Sequence, residues 1–538
     1  MIGRRILAVT AILAISTCAD LIAQQSAEAA HSTPDATQIG NKVVLILPFQ
    51  NASKAPGLEW IGEAFSEVLG QQIQSPSRFV INREDRLYAF DRVGIPASAR
   101  LSRATLLRIA QQMDVDYVVL GSYTYDGNVF STTAQVLDMQ RLHLLPFVTE
   151  SGSLLQVIDI QAAMSWDLMR QIQPGLAATK QDFIAETKDI RLDALENYVR
   201  GIVASDEAEK IRRFKEAVRL NPNYSVAMLQ LGRTYFEQRD YVSAMIWFSK
   251  VPASDKHASE ANFFLGLSAY YSANMERAAE AFRFVAARLP LTEVYNNLGV
   301  VEARRGKGAS VDYLERAVQA DPSDADYHFN LALSLVRVKD VQGAIRQLKE
   351  TLSLRPTDNE AKAYLAVISG NAVSPGRVPV ERIKRNYDEA SFRQLAFAIE
   401  NAEETQMAHS DPKKHAALHV DHGKQQLLQG FYQEARDNFR KALTLDPDNA
   451  EAHVGLAKAQ IALNDLSGAR SELDSTLHSQ PNPDAYVALG QLNLKENKLE
   501  AANEAVAQAL RLEPANSAAL QLKQQLAGKL RATLPQNQ

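Results

Sequence analysis

Residues 259–291 read SEANFFLGLSAYYSANMERAAEAFRFVAARLPL. Four marks stand in a fixed order: Leu265-Gly266, then Ala278, then Phe282, then Pro290. The first recurs as Leu231-Gly232, Leu298-Gly299 and Leu489-Gly490. The second recurs as Ala244, Ala344, Ala435, Ala469 and Ala502, each followed four positions later by Phe248, Leu348, Phe439, Leu473 or Val506. Pro222, Pro290, Pro322, Pro356, Pro447, Pro481 and Pro514 are separated by 68, 32, 34, 91, 34 and 33 residues. Four of these six gaps lie within two residues of 34, and 68 is twice 34.

A period of about 34 residues with marks in this order is similar to the tetratricopeptide repeat. The resemblance implies helix pairs that stack into a superhelix with a groove. Small residues at the Gly and Ala marks allow two antiparallel helices to cross closely. Proline closes the second helix of a unit because it cannot continue the hydrogen-bond ladder, as at Asp321-Pro322, Asp446-Pro447 and Glu513-Pro514. Each unit leaves an apolar face for its neighbour, so stability is shared along the array. A first array is read over 191–369, a second over 413–516, and a capping helix over 517–530. The 91-residue gap from Pro356 to Pro447 is not a multiple of 34, and Gly370, Pro375-Gly376 and Pro379 break helical phase. Residues 370–412 are therefore read as an insertion or hinge, with helical spacing resuming from Asp388 to His409.

Upstream the texture changes. Val43 to Phe49 is a continuous apolar run, Leu58 to Ile73 has helical spacing, and Phe79-Val80-Ile81 is a short strand. A helix follows over Leu106 to Met113 and a strand over Asp116 to Gly121; Asp126-Gly127-Asn128 then marks a hairpin turn before a returning strand to Leu137. Alternating strands and helices over 42–150 give a small α/β domain, joined to the repeats by a connecting helix in 151–190. Leu47-Pro48-Phe49 with Asn51, the stretch Gly62 to Leu69, Tyr117 to Ser122 and Ala134 to Asp138 resemble the amino-terminal domain of TolB. That resemblance implies a docking module of the cell envelope without catalytic residues. The fold class is thus mainly α: two repeat arrays preceded by a small α/β domain.

Arg4 and Arg5, the uncharged stretch Ile6 to Ile15 and Ala27-Glu28-Ala29 read as an export signal over 1–29, giving a periplasmic chain. Cys18 is the only cysteine, so no disulfide framework exists; lipidation at Cys18 would make a membrane-anchored lipoprotein instead. No other run is long enough to cross a bilayer. A net charge of -5 offers no basic bulk for nucleic acid.

First-helix positions that point into the groove include Arg233, Tyr270, Tyr271, Asn297, Arg304, Asn330 and Arg337. They read as solvated polar residues or as a partner site, in which the asparagines bond a peptide backbone and the arginines meet acidic groups. His415, His419 and His422 share one helical face and could take zinc or copper, with His409 or Asp421. In the repeat frame His419 and His422 fall at packing positions, as do His328 and His453, so no metal or cofactor is expected. Arg377, Arg382, Lys384 and Arg385 form a short basic run, either a solvated face or a docking point for a partner or lipid headgroup. With no phosphate loop, nucleophile elbow or two-histidine metalloprotease motif, the chain reads as a non-enzymatic adaptor for protein partners. The alternative is a regulator whose α/β domain senses a small ligand.

Overall fold

The computed structural model describes residues 42–533, apart from 54, 76, 97–100, 177, 371–378, 408–409 and 480. The expected signal segment, Cys18, Arg377 and His409 lie outside the described residues.

The apolar run near the start forms β1 (Lys42–Ile46), which pairs in parallel with both β3 (Arg78–Val80) and β4 (Tyr117–Tyr125). The hairpin turn at Asp126 joins β4 to β5 (Phe130–Asp138), with Tyr117 opposite Asp138 and Tyr125 opposite Phe130. The Asp126 carboxylate accepts from the N–H groups of Asn128 and Val129, each at 2.8 Å, which fixes the tight turn. A short β2 (Gln50–Asn51) runs beside β4, while β6 (His143–Leu144) and β7 (Val148–Gly152) flank β5. Alternation along β5 buries Phe130, Thr132, Ala134 and Val136 on one face.

Phe49 is where the pieces of this region meet. Its ring stacks on Phe65 at 4.4 Å between centroids. A Cβ on Gly121 would lie 2.3 Å from that ring, and one on Gly62 would lie 2.3 Å from the Phe49 carbonyl oxygen. The helix Val157–Ile172, in the span read as a connector, packs on the sheet; Val157, Ile160, Met164 and Leu168 belong to the same core as Phe49 and Phe65. That core continues into the first repeat through Leu195, Tyr198 and Phe214. The Tyr198 hydroxyl donates to Glu67 at 2.5 Å, and burial beside that carboxylate pushes the phenol well above its ordinary pKa.

The repeats follow as helix pairs. The first array runs from Leu192–Val203 and Glu207–Leu220 through pairs beginning at Ser225, Ala258, Thr292 and Ala325 to a single helix, Asn359–Ile368. The second array comprises Pro412–Gln429 with Tyr432–Leu445, Ala450–Ala462 with Leu466–Ser479, and Pro483–Lys495 with Leu499–Leu512, covered by Ser517–Thr533. The glycine mark has a more specific reason than close backbones. A Cβ on Gly232 would sit 2.6 Å from the Phe248 ring, and one on Gly266 2.8 Å from Phe282. Each glycine leaves the space that the aromatic of the second helix fills.

Between the arrays, residues 379–388 have no regular secondary structure and the helix Glu389–Met407 follows. The first hairpin of the second array turns back on earlier elements: Arg393 lies 4.1 Å from the centre of the Phe431 ring, Arg436 is 3.4 Å from Asp182, and Tyr432 donates to the carbonyl of Ser254. No described helix is long and apolar enough to cross a membrane.

The groove of the first array as a candidate peptide site

Asn297 and Asn330 occupy the same phase of successive first helices, Thr292–Arg304 and Ala325–Arg337. Both sit on the concave side, yet they are 0% and 1% exposed. A buried amide must find partners, and here the partner is the chain's own segment Val380–Asp388. The Asn330 side chain donates from Nδ2 to the carbonyl of Arg382 and accepts the Arg382 N–H at Oδ1, both at 2.8 Å. The Asn297 amide repeats this on Lys384, donating to its carbonyl and accepting its N–H, both at 2.7 Å. Residues two apart point the same backbone edge the same way only in an extended chain, so the two asparagines hold the segment extended. Asn296 adds a second donor to the Arg382 carbonyl at 3.1 Å, and the buried Glu293 carboxylate accepts the Asp388 N–H at 2.8 Å.

Side chains of the segment are held as firmly as its backbone. The Glu381 carboxylate accepts from Arg304 at 3.0 and 3.2 Å and also pairs with Arg337. On the opposite bank Arg382 meets Asp358 at 2.6 Å and Asp326 at 3.1 Å, with its guanidinium 3.7 Å from the centre of the Phe329 ring. Lys384 meets Asp324 at 2.6 Å and Asp326 at 2.9 Å. Ile383 and Tyr387 pack into the apolar core of the array, where Tyr387 faces Phe263 at 5.1 Å. Burial alone would raise the Asp326 carboxyl, but Lys384 and Arg355 outweigh it and hold the group down to about 2. Glu381 behaves alike: burial opposes, and Arg337 pulls it below the usual carboxylate range.

The other groove residues singled out from sequence divide. Arg304 also lies 4.6 Å from the centre of the Tyr270 ring, and Arg385 reaches over Tyr271 at 5.9 Å. Arg233 is taken up by an ion pair with Glu260 at 2.8 Å and does not touch the segment. The acidic bank of Asp324, Asp326 and Asp358 carries no mark in the repeat period, since Asp324 and Asp358 stand where helix caps stand. They do cap, accepting from the N–H groups of Asp326 at 2.8 Å and Ala361 at 3.0 Å. Arg382 and Lys384 are therefore not a solvated basic face available to lipid headgroups; their charges are met within the groove.

Three of the histidines tie helix pairs together. His328 bonds Gln347 and the carbonyl of Pro322, and His453 bonds Glu472 and the carbonyl of Pro447. His419 holds Asn438 at the same spacing. The ties to Gln347, Glu472 and Asn438 fasten the first helix of a unit to its second. His415 and His419 converge on Glu404 at 2.9 and 3.2 Å, whereas His422 turns to Glu403 at 3.4 Å, so the three imidazoles do not form one set. Replacing His453 by alanine is expected to cost about 1–2 kcal/mol, the value of two hydrogen bonds and a half-buried ring, read by urea unfolding.

A shallow depression in the α/β region is bounded by Val43, Ala110, Asp114, Asp116, Met139 and Gln140. Asp116 there is already engaged by the Val43 N–H at 2.8 Å and by Lys42 at 3.2 Å.

Comparison with known proteins agrees on the repeats. Models of the tetratricopeptide repeat match residues 308–359, 426–492 and 483–516, and the chain carries such repeats. A curated relative, the protein CTR9 homolog of Arabidopsis thaliana, is 23% identical over 321 residues, covering 54% of this chain and 29% of its own. The chain thus spans under a third of that relative's length. Among solved structures, a MamA double mutant is 21% identical, with a TM-score of 0.30, covering 31% of this chain and 98% of its own. YrrB, described as a TPR protein with an unusual peptide-binding site, is 16% identical with a TM-score of 0.30, covering 36% and 97%. The first TPR domain of human RPAP3 is 26% identical with a TM-score of 0.21, covering 22% and 95%.

Proposed function

We propose that this chain is an exported, non-enzymatic adaptor of the cell envelope. It holds protein partners through its repeat grooves and docks to envelope machinery through the α/β domain that resembles the amino-terminal domain of TolB. The observation that carries the reading is the asparagine pair: two amides spaced one repeat apart grip an extended backbone by its own hydrogen-bonding edge, which is how a surface holds peptide rather than transforms it. The signal-like sequence over 1–29 supports the location.

Two measurements test this. Mass spectrometry of the mature chain should find an amino terminus at or near Ala30; a diacylated Cys18 would point to the lipoprotein alternative, and an intact Met1 would overturn export. The full chain used as bait should retain a reproducible set of envelope proteins and the same set when the bait is reversed. Retention of nothing above background would overturn the adaptor.

A further inference from the structure

We infer that the groove of the first array is a binding site for an extended peptide bearing an acidic residue, a basic residue immediately after it and a second basic residue two further on, and that Val380–Asp388 is a tethered competitor for that site. The inference deepens the adaptor reading and rests on it.

Three features separate this site from a loop that merely packs. First, the grip on the backbone is independent of sequence: Asn297 and Asn330 take both hydrogen-bonding groups of alternate residues. Any extended chain satisfies them. Second, the side-chain contacts read charge by position. Arg304 and Arg337 meet the acidic residue, while Asp326 and Asp358 meet the basic ones. Third, the groove is charged and polar around Glu381, Arg382 and Lys384. Once emptied, it would leave two amides and several carboxylates seeking partners, so it favours occupancy by a chain of this pattern over collapse.

Tethering sets the strength of the competition. Ten residues, 369–378, separate the end of the helix Asn359–Ile368 from Pro379. A short connection of this kind gives an effective concentration on the order of millimolar. A free peptide of the same pattern and the same contacts must reach that concentration to displace the segment. A partner that also touches surfaces beyond the groove does so at far lower concentration. The groove thus admits a multivalent partner and refuses stray basic peptides.

The test uses a synthetic peptide with the sequence of residues 380–388 and the full chain carrying Arg382→Ala and Lys384→Ala, which weakens the tethered competitor and leaves the groove walls intact. The peptide is expected to bind the variant at least tenfold more tightly than the unaltered chain. A peptide with the three charges exchanged should bind the variant at least tenfold more weakly than the native sequence. Adding Asn297→Ala and Asn330→Ala should abolish binding. Equal affinity for variant and unaltered chain, or for native and charge-exchanged peptide, would overturn the proposal. Should the variant lose its cooperative unfolding transition, the unaltered chain answers the question: millimolar peptide must speed hydrogen exchange in residues 380–388, and no change refutes competition. Failure here leaves capture of envelope proteins by the full chain unaffected, since that readout also includes the second array and the α/β domain.

Discussion

Replacing Phe282 by alanine is expected to cost about 3–5 kcal/mol, the range for emptying a buried aromatic site. Phe282 is fully buried, sits edge-on to Phe263 at 5.9 Å between centroids, and fills the space above Gly266. The second helix of its unit, Met275–Ala286, cannot move in to close the gap, because Ala278 and Ala279 already hold it against the first. In a repeat array the loss falls on the unit and its neighbours rather than on the whole chain. Hydrogen exchange should therefore quicken most over 258–304 and little over 450–512. Gly266→Ala alone costs about 1–3 kcal/mol by overpacking, since its Cβ would meet the ring at 2.8 Å. The two substitutions combined should cost less than their sum, because the smaller side chain frees the space that the added methyl needs. Strict additivity would show that the ring does not set the glycine. The fourth unit supports the coupling: Leu314 stands in place of the aromatic, and a Cβ on Gly299 would lie 2.5 Å from it.

The repeat marks were legible because they are dictated by contacts inside one unit, between residues about sixteen apart. The phases of Asn297, Asn330, Arg304 and Arg337 were legible for the same reason, since their position in the first helix decides their direction. Their occupant was not. Glu381 meets Arg304 across 77 residues and Lys384 meets Asn297 across 87, and nothing periodic ties an insertion to a groove. What the sequence did hold was a complementary pattern, Glu381-Arg382 with Lys384 beside a groove whose first helices begin with Asp324 and Asp358. In the α/β region the helix Arg83–Arg92 escaped notice because it is mostly charged and buries only Arg86, Ala89 and Phe90. Its visible signal was the cap: the Asn82 side chain accepts the N–H of Asp85 at 2.8 Å. Arg86 then points inward, where it donates to the Ile46 carbonyl at 3.0 Å and meets Glu63, so a residue that reads as surface is part of the core. The apolar run of β1 was easier, because a buried strand announces itself in composition.

Asn297→Ala together with Asn330→Ala should release the segment 380–388 from the groove. The pair makes four hydrogen bonds to the backbone of Arg382 and Lys384. At about 0.7 kcal/mol each, within the ordinary net range of a hydrogen bond, their loss comes to about 2.8 kcal/mol, an increase of about a hundredfold in the opening equilibrium at about 1.4 kcal/mol per tenfold. Hydrogen exchange or limited proteolysis confined to 380–388 measures it, and unchanged protection would show that the ion pairs alone hold the segment. Acid tests the ion pairs. The Asp326 carboxyl is lowered from 3.8 to about 2 by Lys384 and Arg355 against the opposing effect of burial. A carboxyl whose folded pKa is depressed stabilises fully above its unfolded pKa and loses that contribution as pH falls through its folded one. The grip is therefore intact above pH about 5, weakens below about 4 and is lost near 2, worth on the order of 2 kcal/mol for this group. Glu381 and Asp358 are depressed in the same direction and add to the same window. The asparagine variant should release the segment at a higher pH than the unaltered chain, because fewer protonated carboxyls suffice once the backbone clamp is gone. Identical release curves would mean that backbone and charge act on separate parts of the segment, and that the pattern of charges is not read in the register the amides impose.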